Sequence, residues 1–345
     1  MNLPMAPTLP MVPAPGAPPT LSPEEIARMQ AEVRALAAER GAVILAHNYQ
    51  LPEVQEVADY VGDSLGLSRQ AAVADGETIV FCGVHFMAET ASILCPGKTV
   101  LIPDLDAGCS LADSIDFAQL ADWRAQYPNG VVVMYVNTTA EVKALTDYCC
   151  TSANAVDVVR HIYATHGEDT EILFGPDMWL GAYVEKEVGK RMHVWDGECH
   201  VHAGIRPADI EATRAAHPGA DFLIHPECGC STSVMEYVAA GDIASEGVHM
   251  LSTGGMLKYA ESTEAEGGPD QVVVATEVGM LHPLRMAAPS TEFIPANAEA
   301  SCQYMKMITL PKVRDALRDN KFEVRVPEDI AVKARVPIDR MVALG

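Results

Sequence analysis

Three cysteines, Cys109, Cys199 and Cys302, stand 90 and 103 residues apart, and each closes the same ordered set of chemical groups. First comes a polar tripeptide: His47-Asn48-Tyr49, Tyr135-Val136-Asn137 and His225-Pro226-Glu227. A hydroxyl follows, Ser64 and Ser152 at 17 residues and the pair Ser252-Thr253 at 27 residues from the start of each tripeptide. The cysteine comes 45, 47 and 50 residues after Ser64, Ser152 and Ser252. Thiolates are soft ligands suited to zinc, copper(I) or iron–sulfur. A cubane takes four of them, so three would leave one iron open as a Lewis acid. Cysteines so far apart match no local cluster motif, and from the residues alone the choice among metals stays open. The other six cysteines (Cys82, Cys95, Cys149, Cys150, Cys228 and Cys230) read as small buried hydrophobes. Cys149 and Cys150 read as the approach to a helix, and Cys228-Gly229-Cys230 offers a metal two ligands with no third nearby.

Ser64, Ser152 and Thr253 sit among small residues at expected helix starts. Free amides, a positive helix end and a short donor make an anion site. Plain N-capping explains any one of them; three at matching places favour anion binding. His47, Tyr49, Tyr135, Asn137, His225 and Glu227 supply hydrogen-bonding and acid–base groups. In an extended segment His225 and Glu227 point to the same side, where an imidazole and a carboxylate can share proton transfers. His200 and His202 flank Cys199 and could orient the site.

The elements that must position these groups follow from the apolar pattern. Ser22-Pro23-Glu24-Glu25 is a capping box that starts a helix, and Gly41 ends it. Beyond it, ten short apolar runs (Val43–Ala46, Thr78–Phe81, Val100–Ile102, Val131–Val136, Ile172–Phe174, Met192–Val194, Phe222–Ile224, Val248–Leu251, Val272–Ala275 and Glu292–Ile294) alternate with stretches of helical period. Runs apolar throughout, with helices between, indicate parallel sheets covered on both faces. The expected fold is therefore α/β, with three similar small α/β domains: 23–110, 111–200 and 201–309, residues 310–345 packing back on the first. The polar sets lie at the carboxyl ends of strands, where open parallel sheets bind ligands. Packed around a pseudo-threefold axis, the three units would bring all of them to one central cavity. Residues 1–22, with seven prolines and neither a basic start nor an unbroken apolar stretch, read as a disordered tail rather than a signal peptide.

Composition narrows the function. The 345 residues carry a net charge of −23 and are 49% hydrophobic. Such acidity argues against nucleic-acid or anionic-membrane binding, and no apolar run approaches the roughly 20 residues of a membrane span. With 24 Lys and Arg in the whole chain, an anionic ligand must lean on amides and hydroxyls. Nine cysteines, an odd number with no C-x-x-C, point to a reducing, cytoplasmic setting.

Several of these segments together resemble the quinolinate synthase family. The resemblance is carried by Ala46-His47-Asn48-Tyr49-Gln50, Gly62-Asp63-Ser64-Leu65, the run from Val84 to Ala91, Tyr135-Val136-Asn137, Thr151-Ser152-Ala153-Asn154-Ala155, His225-Pro226-Glu227-Cys228 and Ser252-Thr253-Gly254, and it spans about residues 24–320. It implies three α/β domains around a central cavity and a [4Fe-4S] cluster on Cys109, Cys199 and Cys302. It also implies an enzyme of the transferase type that condenses iminosuccinate with dihydroxyacetone phosphate to quinolinate in NAD biosynthesis. By the same resemblance His47, Ser64, Tyr135, Asn137, Ser152, His225, Glu227 and Thr253 hold substrate, with Tyr49 close by. Glu227, His225 and Tyr49 are the candidate catalytic groups, and L-aspartate oxidase is the expected supplier of iminosuccinate. Some members carry C-x-x-C-x-x-C at the third ligand; Ala300-Ser301-Cys302-Gln303-Tyr304-Met305 has a single cysteine, so a thiol–disulfide switch is not expected there. Two other readings remain open, a cluster-dependent hydro-lyase acting on one substrate and a non-enzymatic iron–sulfur carrier.

Overall fold

The computed structural model of the chain describes residues 21–240 and 246–344, so the expected tail lies, but for its last two residues, outside the described residues. The first helix, Pro23–Glu39, opens with the expected capping box: Glu25 N donates to Ser22 Oγ at 3.3 Å and Ser22 N to Glu25 Oε2 at 2.8 Å. Gly41 follows it in the left-handed region at φ +55°, which costs a glycine little.

Among the described residues, twelve strands form three four-stranded sheets. The first holds β1 (Ala42–His47), β2 (Tyr60–Gly62), β3 (Thr78–Cys82) and β4 (Thr99–Leu101); the second, β5 (Val131–Tyr135), β6 (Tyr148–Cys150), β7 (Ile172–Gly175) and β8 (His193–Val194). The third holds β9 (Asp221–Ile224), β10 (Val248–Met250), β11 (Gln271–Ala275) and β12 (Glu292–Pro295). Every strand pair within these sheets is parallel, and the spatial orders are β2-β1-β3-β4, β6-β5-β7-β8 and β10-β9-β11-β12. The chain is thus α/β, built of three similar small units with one strand order. All ten apolar runs form strands. β2 and β6 were not foreseen, and Cys149 and Cys150 belong to β6 rather than to a helix approach. Both missed strands are edges paired on one side only; β2 is part exposed and β6 is Tyr148-Cys149-Cys150, so neither shows as an aliphatic run.

Burial explains why the strands read as unbroken apolar runs. Every residue of β3 and β5 is buried, and each fully buried Val, Ile, Leu or Phe contributes about 1.5–3 kcal/mol. In each sheet the order reverses beside the first strand, since its two neighbours come next and third in sequence. That reversal opens a crevice at the carboxyl ends, and the three tripeptides leave β1, β5 and β9 there.

The end of the chain returns to the beginning. The helix Leu310–Asp319 packs on Pro23–Glu39. Ile102 N donates to Phe322 O at 3.1 Å and Val324 N to Val100 O at 2.8 Å, extending the first sheet past β4. The last helix, Glu328–Ala343, lies against the helix His85–Leu94 of the first unit and against Ala140–Lys143 and β6 of the second. Asn154 Nδ2 donates to Met341 O at 3.0 Å.

Candidate active site

The three hydroxyls are not the caps of their helices. Asp63 caps the helix Ser64–Val73, accepting from Gly66 N at 2.7 Å, which leaves Ser64 as the first helical residue. Ser252 caps Thr253–Glu266, accepting from Gly255 N at 3.2 Å, and Thr253 takes the same first place. Before Ala155–His166, Thr151 N donates to Asn154 Oδ1 at 2.8 Å, and Ser152 is passed over. Free of cap bonds, Ser64, Ser152 and Thr253 all line one cavity. The starts of Ser64–Val73 and Thr253–Glu266 meet there. A Cβ on Gly254 would come within 2.6 Å of Asp63 Oδ2, and Asn48 Nδ2 donates to Thr253 Oγ1 at 3.1 Å.

The tripeptides line the same cavity with His47, Tyr49, Tyr135, Asn137, His225 and Glu227. Tyr135 Oη donates to Glu227 Oε1. Glu227 Oε1 lies 3.7 Å from His225 Nδ1, and its other oxygen 3.4 Å from His202 Nδ1. Tyr49 Oη lies 2.7 Å from Thr276 Oγ1 and 3.2 Å from His202 Nε2. The His202 and His225 rings stack at 4.8 Å. Asn137 Oδ1 and His202 Nδ1 are buried without a hydrogen-bond partner among the described residues, acceptors or donors left for a ligand.

Burial sets the charge states of the site. It lowers His47 and His202 to about 3 and His225 well below the usual range, with the neighbouring Lys306 and histidines adding to the effect. Three neutral imidazoles therefore face the cavity at neutral pH. Burial also raises Glu227 to about 8, helped by the charge of Asp177 and opposed by the Tyr135 hydrogen bond. Tyr49 and Tyr135 are pushed well above their ordinary values by burial and by Glu227.

Cys109, Cys199 and Cys302 complete the lining, one from each unit. Their loops share one backbone pattern. His85 N, Met178 N and Val278 N donate to Ala107 O, Gly197 O and Ala300 O at 2.8, 2.8 and 2.9 Å, in each case to the carbonyl two residues before the cysteine. Each cysteine carbonyl then accepts from the fourth residue on: Asp113 N, Ala203 N and Lys306 N. The backbone amides of Ala112 and Leu111 at Cys109, His202 at Cys199, and Met305 and Tyr304 at Cys302 favour the thiolates. Burial still pushes the Cys109 thiol up to about 12 and raises the other two. All three are therefore thiols at neutral pH, whose protons a metal would displace. Cys199, His202 and Glu227 also bring one ligand atom each within 4.8 Å of one another.

Some participants were not foreseen. Thr276, Asp177, Glu277, Lys306 and Tyr304 support or line the site. Asp177 Oδ2 accepts from Cys199 N at 3.1 Å and Glu277 Oε1 from Cys302 N at 2.9 Å. Lys306 Nζ pairs with Glu277 Oε1 at 2.9 Å and also donates to Tyr49 O. The signal was present in the repeat, because both acids follow the third-placed strand of their unit by two residues. Cys228 and Cys230, expected as inert thiols, are joined by a disulfide just past Glu227, so that stretch offers no thiolate pair to a metal.

Among the described residues lining the cavity none is Lys or Arg. It offers hydroxyls and helix-start amides, acid–base groups in Glu227 and Tyr49, and three thiols, one from each unit.

Comparison with known proteins agrees in kind. The family model for NadA, quinolinate synthetase A protein, matches residues 31–343. A quinolinate synthase of Mycobacterium tuberculosis (strain H37Rv) is 56% identical over 319 residues, covering 92% of this chain and 89% of the relative. One from Mycobacterium sp. (strain KMS) is 57% identical over 316 residues, covering 91% of each. One from Thermus thermophilus is 55% identical over 314 residues, covering 91% of this chain and 96% of the relative.

Proposed function

The chain belongs to the quinolinate synthetase A family, and we propose that it condenses iminosuccinate with dihydroxyacetone phosphate to quinolinate, releasing phosphate and water, as a step of NAD biosynthesis. The observation that carries this reading is the lining of one cavity by three thiols, three hydroxyls freed from capping and the Tyr135–Glu227 pair. The residues fit a [4Fe-4S] cluster: Cys109, Cys199 and Cys302, one from each unit of the lining, would hold it, with neighbouring backbone amides favouring each thiolate. When bound, such a cluster supplies one open iron as a Lewis acid.

The chain's own groups divide the remaining work. The two substrates bring two carboxylates and a phosphate to a cavity without Lys or Arg. Ser64 and Thr253, at the first positions of their helices, offer a hydroxyl beside free amides and the positive helix end. Ser152 Oγ, 3.1 Å from His225 Nε2, and Asn137 add further hydrogen bonds. Condensation and ring closure require a proton to leave carbon beside a carbonyl and protons to reach departing hydroxyls. Glu227, raised toward neutrality by burial, can both take and return a proton. Tyr135 Oη holds its Oε1, and His202 Nδ1 faces its Oε2. Tyr49 Oη, between Thr276 and His202, is set to relay protons in the isomerisation of the sugar phosphate or its loss of phosphate.

On this reading the reaction is cytoplasmic, with L-aspartate oxidase as the source of iminosuccinate and functional partner. Among the described residues no helix is long and apolar enough to cross a membrane. The test is anaerobic purification, an iron and sulfide count, and a quinolinate assay with and without dihydroxyacetone phosphate. Quinolinate formed only when both substrates are present supports the proposal. Turnover of a single substrate would replace it with a hydro-lyase, and cluster transfer to an apo-acceptor without turnover would replace it with a carrier.

A further inference from the structure

The three cysteine loops share a backbone but differ in one side chain beneath them. The position two residues past the third-placed strand is Val84 in the first unit, Asp177 in the second and Glu277 in the third. Both acids are fully buried, although a buried carboxylate is costly unless hydrogen-bonded. Asp177 divides its oxygens. Oδ1 caps the helix Met178–Val188, accepting from Trp179 N and Leu180 N at 2.8 and 2.9 Å, while Oδ2 reaches across to Cys199 N at 3.1 Å. Glu277 divides them the same way, with Oε2 on Gly279 N at 2.7 Å and Oε1 on Cys302 N at 2.9 Å, and Lys306 balances its charge. Capping needs only one oxygen, and a serine supplies it. The second oxygen of each acid goes to the amide of a cysteine. Val84 offers nothing of the kind to Cys109.

We propose that Asp177 and Glu277 are positioning residues that strap the Cys199 and Cys302 loops into ligand-ready form before any metal arrives, while the Cys109 loop, lacking a strap, is the arm that closes last and opens first. This rests on the reading that the three cysteines hold the cluster. Hydrogen bonds to an ionised acceptor are about twice as strong as neutral ones, and groups that orient metal ligands typically govern affinity by 10–100-fold.

The test uses Asp177→Ser and Glu277→Ser, which keep a capping hydroxyl but cannot reach the cysteine amide. The full-length apoprotein is alkylated with iodoacetamide, and the rate at each cysteine is read by peptide mass spectrometry, beside the melting temperature. In the parental protein Cys109 should react fastest of the three. Asp177→Ser should speed Cys199 by roughly tenfold, the scale of one lost charge-assisted hydrogen bond, with Cys109 and Cys302 unchanged. Glu277→Ser should do the same for Cys302 alone. After anaerobic reconstitution each variant should lose iron to a chelator roughly tenfold faster than the parent. An unchanged rate at the local cysteine overturns the proposal. So does an equal rise at all three with a lower melting temperature, which marks general loosening. If the parental protein takes up no cluster, the cluster reading fails, and the alkylation pattern still decides the straps.

Discussion

His47 and His225 begin the first and third tripeptides and are held by the same local device. Tyr49 N donates to His47 Nδ1 at 3.2 Å, and Glu227 N donates to His225 Nδ1 at 3.3 Å. In a neutral imidazole whose Nδ1 accepts, Nε2 carries the proton. Two units thus present the same donor at the same place. The difference lies elsewhere. His225 directs its Nε2 to Ser152 Oγ, whereas His47 lines the cavity with no partner on Nε2 among the described residues. Two residues on, one unit carries a phenol and the other a carboxylate. The repeated backbone fixes where a group stands, and the side chain decides whether it binds or moves a proton.

The comparison breaks most sharply at Glu227. Glu227→Gln keeps the shape and should lower turnover by roughly 10²–10⁴-fold while iron content stays unchanged. Tyr49→Phe, at the matching place, should lose less. Equal losses in the two would show that the carboxylate has no special part in the chemistry.

The hydroxyls come next. Ala at Ser64, Ser152 or Thr253 should weaken substrate binding by about 1.5–3 kcal/mol, the value of a hydrogen bond to a charged group. Because Asp63 and Ser252 do the capping of two of the helices and Ser152 makes no cap bond to the third, melting temperatures should hardly move. Lower stability with unchanged kinetics in all three would return these residues to a purely structural role.

Acidification sharpens the likeness of the two histidines. Burial lowers both folded-state values, His47 to about 3. Their contribution to stability is full above pH 6.5 and is lost as the pH falls, since only the unfolded chain then takes the proton readily. Between pH 6.5 and 5 the buried His47 imidazole should withdraw about 1.6 kcal/mol. His47→Asn keeps an acceptor for the amide two residues on and should remove one such contribution from apoprotein unfolding curves at the two pH values. An acid response identical to the parent's would mean that His47 is already charged when folded.

The smallest effect lies outside the cavity. Ser22→Ala removes one partner of the first capping box and should lower stability by about 0.5–2 kcal/mol in urea melts with no change in kinetics. A kinetic change there would show that the first helix is coupled to the site.

Periodicity made the fold legible, because a strand buried on both faces has no choice but to be apolar throughout. β2 escaped because its edge is part exposed, and β6 because Tyr148-Cys149-Cys150 does not read as an aliphatic run, whereas the equally short β4 and β10 fall in apolar runs. The lining residues were legible through the repeat, since matching strand ends need matching polar groups. The straps escaped for a physical reason. A buried acid under a loop is indistinguishable in sequence from an ordinary helix cap, and Asp177 and Glu277 are caps as well. Cys228 and Cys230 were legible as buried but not as bonded.

The closing of the chain on itself bears on its birth at the ribosome. Val100 and Ile102 pair with Val324 and Phe322, some 220 positions later. At about 5–20 residues per second, synthesis reaches those partners roughly 10–40 s after the first sheet is made. The unit translated first is therefore the last to be completed, and until then it exposes the flank of β4 where residues 322–324 dock. A chain cut at residue 309 should leave that flank open for good and sediment as aggregates, while its second and third units keep all their own strands. Synthesis of residues 322–324, rather than pairing of β1 to β4, sets when the first sheet can be completed.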